Sequence, residues 1–505
     1  MIFTDYIFEY SKDLDKTAVI HKKTETTYRK LYQGINFVEN LLWEIKYRDY
    51  INKQSVLVIS ENSPFFIKAF YGIIKSGSIC VPINPSAPEK EIRYIIESLR
   101  IDTIFIEEKQ LKKIKNLITA DFHIYCEKDI EKDQETDLVD SESKAYITKK
   151  EINISSKEDI AVIMFTSGST ATPKGVMLTH YNLMCNTESI IKYLNLNKED
   201  RVEVVLPFYY CYGTSLLNTH LRCCGSLVIN NRFMFPNTVL EDIKTYNCTG
   251  FAGVPSTFQI LLRMTDIKNC HVPSLKYITQ AGGKLQDTYI YELMDVLPNT
   301  DIYIMYGQTE ATARLSYLPP ALVRSKMGSI GKGIPGTKLM VLNKVGDQVK
   351  PGEVGEIVAS GGNIMKGYIN DEDGTKEVIR SGVLFTGDLA TVDEDGYIFV
   401  VSREKNIIKC GGNRVSPKDI EDVIIKIPEV VECAVVGVPH EILGEAVKAF
   451  VVLKTKNSEI NDAYIIGFCA ERLAKHKVPI FVEFLNELPK NSSGKVLIKK
   501  LKDSE

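Results

Sequence analysis

The apolar residues of this chain fall in short blocks that alternate between two periods. Residues 55–60, 80–83 and 101–106 are apolar runs of strand length. Between them, residues 63–75 and 89–99 carry apolar positions at helical spacing, the second helix opened by Pro88 at its first turn. Strand and helix in turn imply a parallel sheet flanked by helices. A buried strand at 160–165 follows, and a second alternating run begins beyond it. Strands are predicted at 201–206, 226–229, 249–254, 275–279 and 301–306, with helices at 238–246, 256–264 and 286–296. From 329 to 401 the texture changes to short strands between turns such as Lys350-Pro351-Gly352 and Glu394-Asp395-Gly396, which predicts a β-rich subdomain. After Ser402 comes an α+β segment with helices near 417–427 and 462–475, of the size of a small domain. Residues 131–144 are charged and nearly aperiodic, hence a loop or linker.

A chain of 505 residues is too long for one core. The boundary is placed at 403–406, which leaves an N-terminal domain of residues 1–402 and a C-terminal domain of residues 407–505. A net charge of −3, from 62 basic and 65 acidic residues, predicts neither a nucleic-acid surface nor a polybasic membrane patch. The 11 cysteines are scattered without C-x-x-C spacing, which argues against zinc and against a disulfide framework. Asp5, Glu9 and Lys12 are unlike a secretory signal, and no apolar run approaches a membrane span. The expectation is a soluble cytoplasmic protein with reduced thiols.

Candidate chemistry begins after the strand at 160–165, in Thr166-Ser167-Gly168-Ser169-Thr170-Ala171-Thr172-Pro173-Lys174-Gly175. Small residues let a backbone approach an anion, and hydroxyls and a lysine add donors and charge, which suits a polyphosphate. A Ser/Thr/Gly-rich surface loop has the same composition. The segment is not G-x-x-x-x-G-K-[ST], because Lys174 is followed by glycine. Ala171 costs about a kilocalorie or more if the loop needs a positive φ there. Ala281-Gly282-Gly283 and Tyr306-Gly307-Gln308-Thr309-Glu310 each fall just past the carboxyl end of a predicted strand, as the loop does. Ligands bind at that rim in open parallel sheets, so the three segments predict one nucleotide crevice on one rim.

The order T-S-G-S-T-x-x-P-K-G resembles the phosphate loop of the adenylate-forming enzymes, among them acyl-CoA synthetases, carrier-protein acyl ligases and peptide-synthetase adenylation domains. Five further segments match that family in register. Y-G-Q-T-E resembles its metal motif, which makes Glu310 the Mg²⁺ ligand and places Tyr306, Gly307, Gln308 and Thr309 at the nucleotide with Gly282 and Gly283. L-F-T-G-D implies that Asp388 receives the ribose hydroxyls. Ser402-Arg403-Glu404-Lys405-Asn406, with Ser402 and Asn406 replacing the usual glycine and aspartate, implies Arg403 at the ribose or phosphate and Lys405 as hinge. Gly411 and Gly412 would border the thiol tunnel. Pro489-Lys490-Asn491-Ser492-Ser493-Gly494-Lys495 implies Lys495 as the adenylation lysine. Thr166, Ser167, Gly168, Ser169, Thr170 and Lys174 would hold the phosphates, with Thr166, Glu310 and Lys495 the groups closest to the chemistry.

Pro207-Phe208-Tyr209-Tyr210-Cys211-Tyr212-Gly213 corresponds to the family's acyl-pocket segment. It offers no anion for an α-ammonium, which disfavours an amino acid because the charge would be buried unpaired. The implied pocket is apolar and aromatic, lined by Tyr210, Gly213, Gly253, Val254, Thr257, Gly282 and Thr312, although core aromatics would read alike. The fold implied is α/β: a large N-terminal domain of two α/β subdomains and a β-rich subdomain, with a small mobile α+β C-terminal domain. The function implied is ATP- and Mg²⁺-dependent conversion of a small aryl, branched or medium-chain carboxylic acid to an acyl-adenylate, then transfer to a pantetheine thiol. CoA is the favoured acceptor, and the phosphopantetheine of an acyl or peptidyl carrier protein is the alternative. A kinase would need the missing G-K-[ST] ending, and a non-catalytic relative would have lost Glu310, Asp388 or Lys495.

Overall fold

The computed structural model describes residues 1–49, 54–131, 156–166, 173–403, 407–454, 460–490 and 496–503. The linker predicted at 131–144 lies outside them apart from Glu131, which ends a short helix, Glu127–Glu131. The chain divides into two compact units, the first made of Met1–Phe233, Gln308–Ala313 and Gly361–Thr375, the second of Met234–Gly307, Arg314–Ser360 and Lys376–Glu505.

Unit one is built on two sheets. Its strands in chain order are β1 (Thr17–His21), β2 (Thr24–Thr27), β3 (Ser55–Ile59), β4 (Ile79–Ile83), β5 (Thr103–Ile106), β6 (His123–Tyr125), β7 (Ile160–Thr166), β8 (Lys174–Thr179), β9 (Arg201–Val204) and β10 (Ser226–Ile229). One sheet runs β8–β7–β4–β3–β5–β6, with a two-residue strand, Gly367–Tyr368, added antiparallel outside β8. Its parallel pairs β4–β3 and β3–β5 are the ones the alternation predicts. The helix Pro64–Lys75 is started by Ser63, whose Oγ accepts the N–H of Phe66, and has Pro64 in its first turn. It is buried from Phe65 to Ile74, so it carries no polar stripe. Glu89–Leu99 is amphipathic, with Ile92, Ile95 and Ile96 packing on Leu57, Val81 and Ile104 of the sheet. The other strands of this unit lie in the order β2–β1–β10–β9.

Unit two contains β11 (Gly250–Gly253), β12 (Tyr277–Gln280) and β13 (Asp301–Tyr306), mutually parallel, followed by antiparallel β14 (Ser316–Leu318) and β15 (Lys332–Gly333). In the β-rich stretch Gly355–Gly361 and Ile398–Arg403 each pair antiparallel with Val383–Val392, and Thr337–Leu342 neighbours Gly355–Gly361, around a core of Val341, Ile357, Ala390 and Ile398. Near the C-terminus, Val430–His440 and Gly444–Leu453 form a long hairpin ladder to which Phe481–Leu485 adds in parallel. The helices predicted at 417–427 and 462–475 run Pro417–Ile424 and Asp462–Ala470.

One expectation needs correction. The segments at 281–283 and 306–310 do follow neighbouring parallel strands, β12 and β13, but the phosphate loop follows β7, which belongs to a different sheet. Periodicity locates strand ends and carries no information about which sheet a strand joins.

Candidate functional site

The strand β7 ends in a hairpin. Thr166 pairs with Lys174 across β7 and β8, and the Thr166 hydroxyl donates to the Lys174 carbonyl at 3.4 Å. Thr166 and Lys174, the described ends of the candidate phosphate segment, therefore face each other on one ladder. Ser167, Gly168, Ser169 and Thr170 themselves lie outside the described residues, as do Lys405 and Lys495.

At the hairpin base Lys174 meets two residues the sequence did not single out. Its Nζ is 2.8 Å from Oδ2 of Asp371 and 4.6 Å from the centre of the Tyr368 ring. The ring's π-face attracts the ammonium. On its far end the Tyr368 hydroxyl donates to Oε1 of Glu310 at 2.8 Å. A cation and the candidate metal carboxylate thus converge on one buried tyrosine. Gly367–Tyr368 reaches this place by pairing with Val176–Met177.

Glu310 is aimed by its own turn. It sits in a short 3₁₀ element, Thr309–Ala311, and its carbonyl accepts the N–H of Met365 at 2.9 Å. Thr312 follows with φ +66° and ψ −48°, and the N–H of Ala313 donates to the carbonyl of Ala311 at 2.7 Å. That is a γ-turn of the strained hand. Strain of this kind costs about 1–3 kcal/mol and persists only where the surroundings fix it. Here the Thr312 hydroxyl donates to the Asn363 carbonyl at 2.7 Å. Mg²⁺ keeps several waters and is satisfied by one or two carboxylates plus substrate phosphates. A single carboxylate, held by the hydroxyl of a tyrosine whose ring carries a lysine, fits that ion in company with a nucleotide. Among the described residues there is no group of three His, Cys, Asp or Glu that would form an all-protein cage.

The predicted acyl segment is the start of a helix, Cys211–Arg222, with Tyr210 at its N-cap and the Tyr209 and Tyr210 rings 4.9 Å apart. Gly213 is demanded by packing, because a Cβ there would lie 2.0 Å from the Pro207 carbonyl oxygen. The Thr309 hydroxyl approaches Cys211 Sγ at 3.5 Å. Thr312, Cys211 and Met164 border a cavity of about 10 Å³, room for one water.

In unit two, Val254, Gly282, Gly283, Tyr306, Gly307, Asp388 and Arg403 line a single cavity of about 410 Å³. Asp388 is buried and accepts two hydrogen bonds, from the Tyr306 hydroxyl at 2.7 Å and from Arg403 Nε at 2.9 Å. A carboxylate has about four lone-pair sites, more than these two bonds use. Burial, then Asp388, push the Tyr306 phenol well above its ordinary value, so it stays a donor. Thr257 sits one turn into the helix Pro255–Met264, where its hydroxyl accepts the Val254 N–H at 3.3 Å, and Gly253 ends β11. Gly411 and Gly412, both at positive φ, form the two-residue turn joining Ile408–Cys410 to Asn413–Val415.

The same cavity holds charges no local motif announced. Lys284 reaches Asp422 at 2.6 Å, and Lys418 donates to the Val400 carbonyl at 2.8 Å. Burial lowers the Lys418 ammonium to about 8, with Lys284 acting in the same sense. Glu421 accepts the Val435 N–H at 2.9 Å, and burial raises its carboxyl to about 7.

Comparison with known proteins decides the family. The model of the AMP-binding enzyme matches residues 9–369, and that of the AMP-binding enzyme C-terminal domain matches residues 419–495. The chain belongs to the AMP-binding enzymes. A long-chain-fatty-acid–CoA ligase of Bacillus subtilis is 30% identical over 481 residues, 89% of this chain and 85% of that protein. A feruloyl-CoA synthase of Amycolatopsis is 30% identical over 483 residues, 95% and 94% of the two chains. Among solved structures, the anthranilate CoA ligase AuaEII in complex with anthranoyl-AMP superposes with a TM-score of 0.88 at 26% identity, covering 100% of this chain and 97% of that one. This AMP-binding enzyme is an AMP-forming acid–thiol ligase with acyl-CoA synthetase activity and the adenylate-forming fold, a large N-terminal and a small C-terminal domain. Among the described residues no helix is long and apolar enough to cross a membrane.

Proposed function

We propose that this enzyme activates an apolar carboxylic acid, aryl, branched or medium-chain, and transfers it to CoA in the cytoplasm, with the residues above in the following roles. Lys174 and the Thr166–Thr170 loop bind the triphosphate, Glu310 holds Mg²⁺, and Asp388 with Arg403 takes the ribose. The metal, when bound, neutralises charge on the phosphates. The substrate carboxylate attacks the α-phosphorus in line, the bond to pyrophosphate breaks, and an acyl-adenylate forms. No side-chain nucleophile is needed, because positioning and charge stabilisation carry the step. Lys495 neutralises the charge developing at the α-phosphate. Residues 407–505 then turn about Lys405, Lys495 leaves, and the thiol enters beside Gly411 and Gly412 to displace AMP.

The observation that carries this reading is the convergence of Lys174 and Glu310 on Tyr368 at the base of the phosphate hairpin. A cation for phosphate and a carboxylate for a metal stand within one cluster, which is what a metal–triphosphate needs. The absence of an anion from residues 207–213 supports an acid without an α-ammonium. The test is pyrophosphate release over a panel of carboxylic acids, with ATP alone, with CoA, and with a pantetheinylated carrier protein. Release with one acid that turns over only with CoA is the expected result. Turnover only with the carrier would overturn the choice of acceptor, and ADP in place of AMP would overturn the reaction.

A further inference from the structure

We infer that Asp371, seated by Gly374, is a positioning residue that fixes Lys174 for the adenylation step; the inference rests on the proposed role of Lys174 at the triphosphate. A lysine loses rotamer freedom when it is held, and a phosphate lysine that is already held avoids that cost in the reaction. Lys174 is held on two sides, by Asp371 and by the face of Tyr368, although the two charged side chains keep 31% and 37% of their surface exposed. An ammonium has three N–H donors, so one ion pair leaves others for a phosphate oxygen.

Asp371 is itself fixed. Its Oδ1 accepts the N–H of Gly374 at 2.8 Å, and its carbonyl accepts both the N–H and the hydroxyl of Thr375, at 3.0 and 2.8 Å. The Thr375 hydroxyl also accepts the N–H of Tyr368 at 2.9 Å, tying the acid's turn to the ring beneath the lysine. The Lys174 hydrogen bond, followed by that of Gly374, holds the Asp371 carboxyl below its ordinary value. Gly374 is buried, and a Cβ there would stand 2.2 Å from Asp371 Oδ2 and 2.6 Å from Lys174 Nζ. The absence of a side chain at 374 is what makes room for the pair.

An anion beside a phosphate lysine repels the incoming nucleotide, so a merely electrostatic role and a positioning role predict opposite kinetics. If Asp371 positions Lys174, Asp371→Ala lowers kcat for pyrophosphate release about tenfold while the KM for ATP does not rise. Asp371→Asn, whose single amide oxygen can serve Lys174 or the Gly374 N–H but not both as the two carboxylate oxygens do, recovers at most part of that kcat. Gly374→Ala reproduces the loss by displacing the pair, and the losses in the Asp371→Ala/Gly374→Ala double variant are less than additive, because both changes act through the same ion pair. Equal thermal melts of the Asn variant and the parent exclude a folding defect. An unchanged kcat with a lower KM in Asp371→Ala would overturn the positioning role, as would fully additive losses in the double variant. Lys174→Ala separates the two layers: full pyrophosphate release in that variant refutes the phosphate role itself, whereas a loss there with normal Asp371→Ala kinetics refutes only the positioning.

Discussion

Glu421 offers a quantitative check on the charged wall of the unit-two cavity. Burial raises its carboxyl from 4.5 to about 7, while Val435 N–H, Lys418 and Lys284 pull the other way and Asp422 adds to the rise. Between those two pH values the folded chain keeps a proton that the unfolded chain has released. Stability therefore falls as pH rises through that window, and the full penalty is present above about 7. The displacement corresponds to about 3 kcal/mol as a ceiling, which water in the cavity reduces. Lys418, lowered to about 8, acts with the opposite slope: above 8 the unfolded chain holds the proton that the folded chain has lost, so stability climbs toward its ordinary value of 10.5. A shallow minimum near pH 7–8 follows. Glu421→Gln keeps an acceptor for Val435 N–H and removes the charge, so it should abolish the descending limb and protect the segment at pH 7.5 by about 2–3 kcal/mol. Hydrogen exchange of the peptide covering Val430–His440, corrected for intrinsic rates, reads this directly at pH 5 and 7.5. Parallel pH dependence in parent and variant would refute the burial argument.

Three further outcomes are expected. Lys495→Ala should abolish pyrophosphate release yet leave thiol attack on supplied acyl-adenylate largely intact; equal loss of both, followed by AMP and thioester assays, would sink the division of labour. Glu310→Gln should raise the Mg²⁺ concentration needed for half-maximal rate by about tenfold or more, a loss of about 1.4 kcal/mol in metal binding; an unchanged Mg²⁺ titration would remove Glu310 from the metal. Gly213→Ala should cost about 2 kcal/mol or more, because its Cβ would stand 2.0 Å from the Pro207 carbonyl oxygen and backbone would have to shift; a parent-like melt would contradict the close approach.

The alternation of periods was enough to place β3 to β5 and β9 to β13 within a few residues, because each strand is buried and each helix is marked by a cap or an apolar stripe. The helix Tyr28–Asp49 is harder to see. Its buried positions Leu31, Ile35, Val38, Leu42 and Ile45 carry the helical spacing, but charged and aromatic residues between them mask it. The strand β8 begins Lys174-Gly175, which has little strand preference of its own and is held by its ladder to β7. Glu310, Asp388 and Arg403 could be picked out as candidates because each sits in a local motif, and in the structure each has a side-chain hydrogen-bond partner. Tyr368 and Asp371 could not. Their meaning depends on contact with Lys174, 197 positions away from Asp371, and no local pattern encodes such a contact.

The outer strand Gly367–Tyr368 has a consequence for how this protein is made. It follows its partner Met177 by 190 positions, 367 less 177, so at about 5–20 residues per second it emerges from the ribosome on the order of ten to forty seconds later. During that interval β8 presents an open sheet edge, the kind of surface that recruits other nascent chains or a chaperone. Asp371, which pairs with Lys174, and the hydroxyl that meets Glu310 arrive with the same late segment, so Lys174 and its ladder are translated long before these contacts can form.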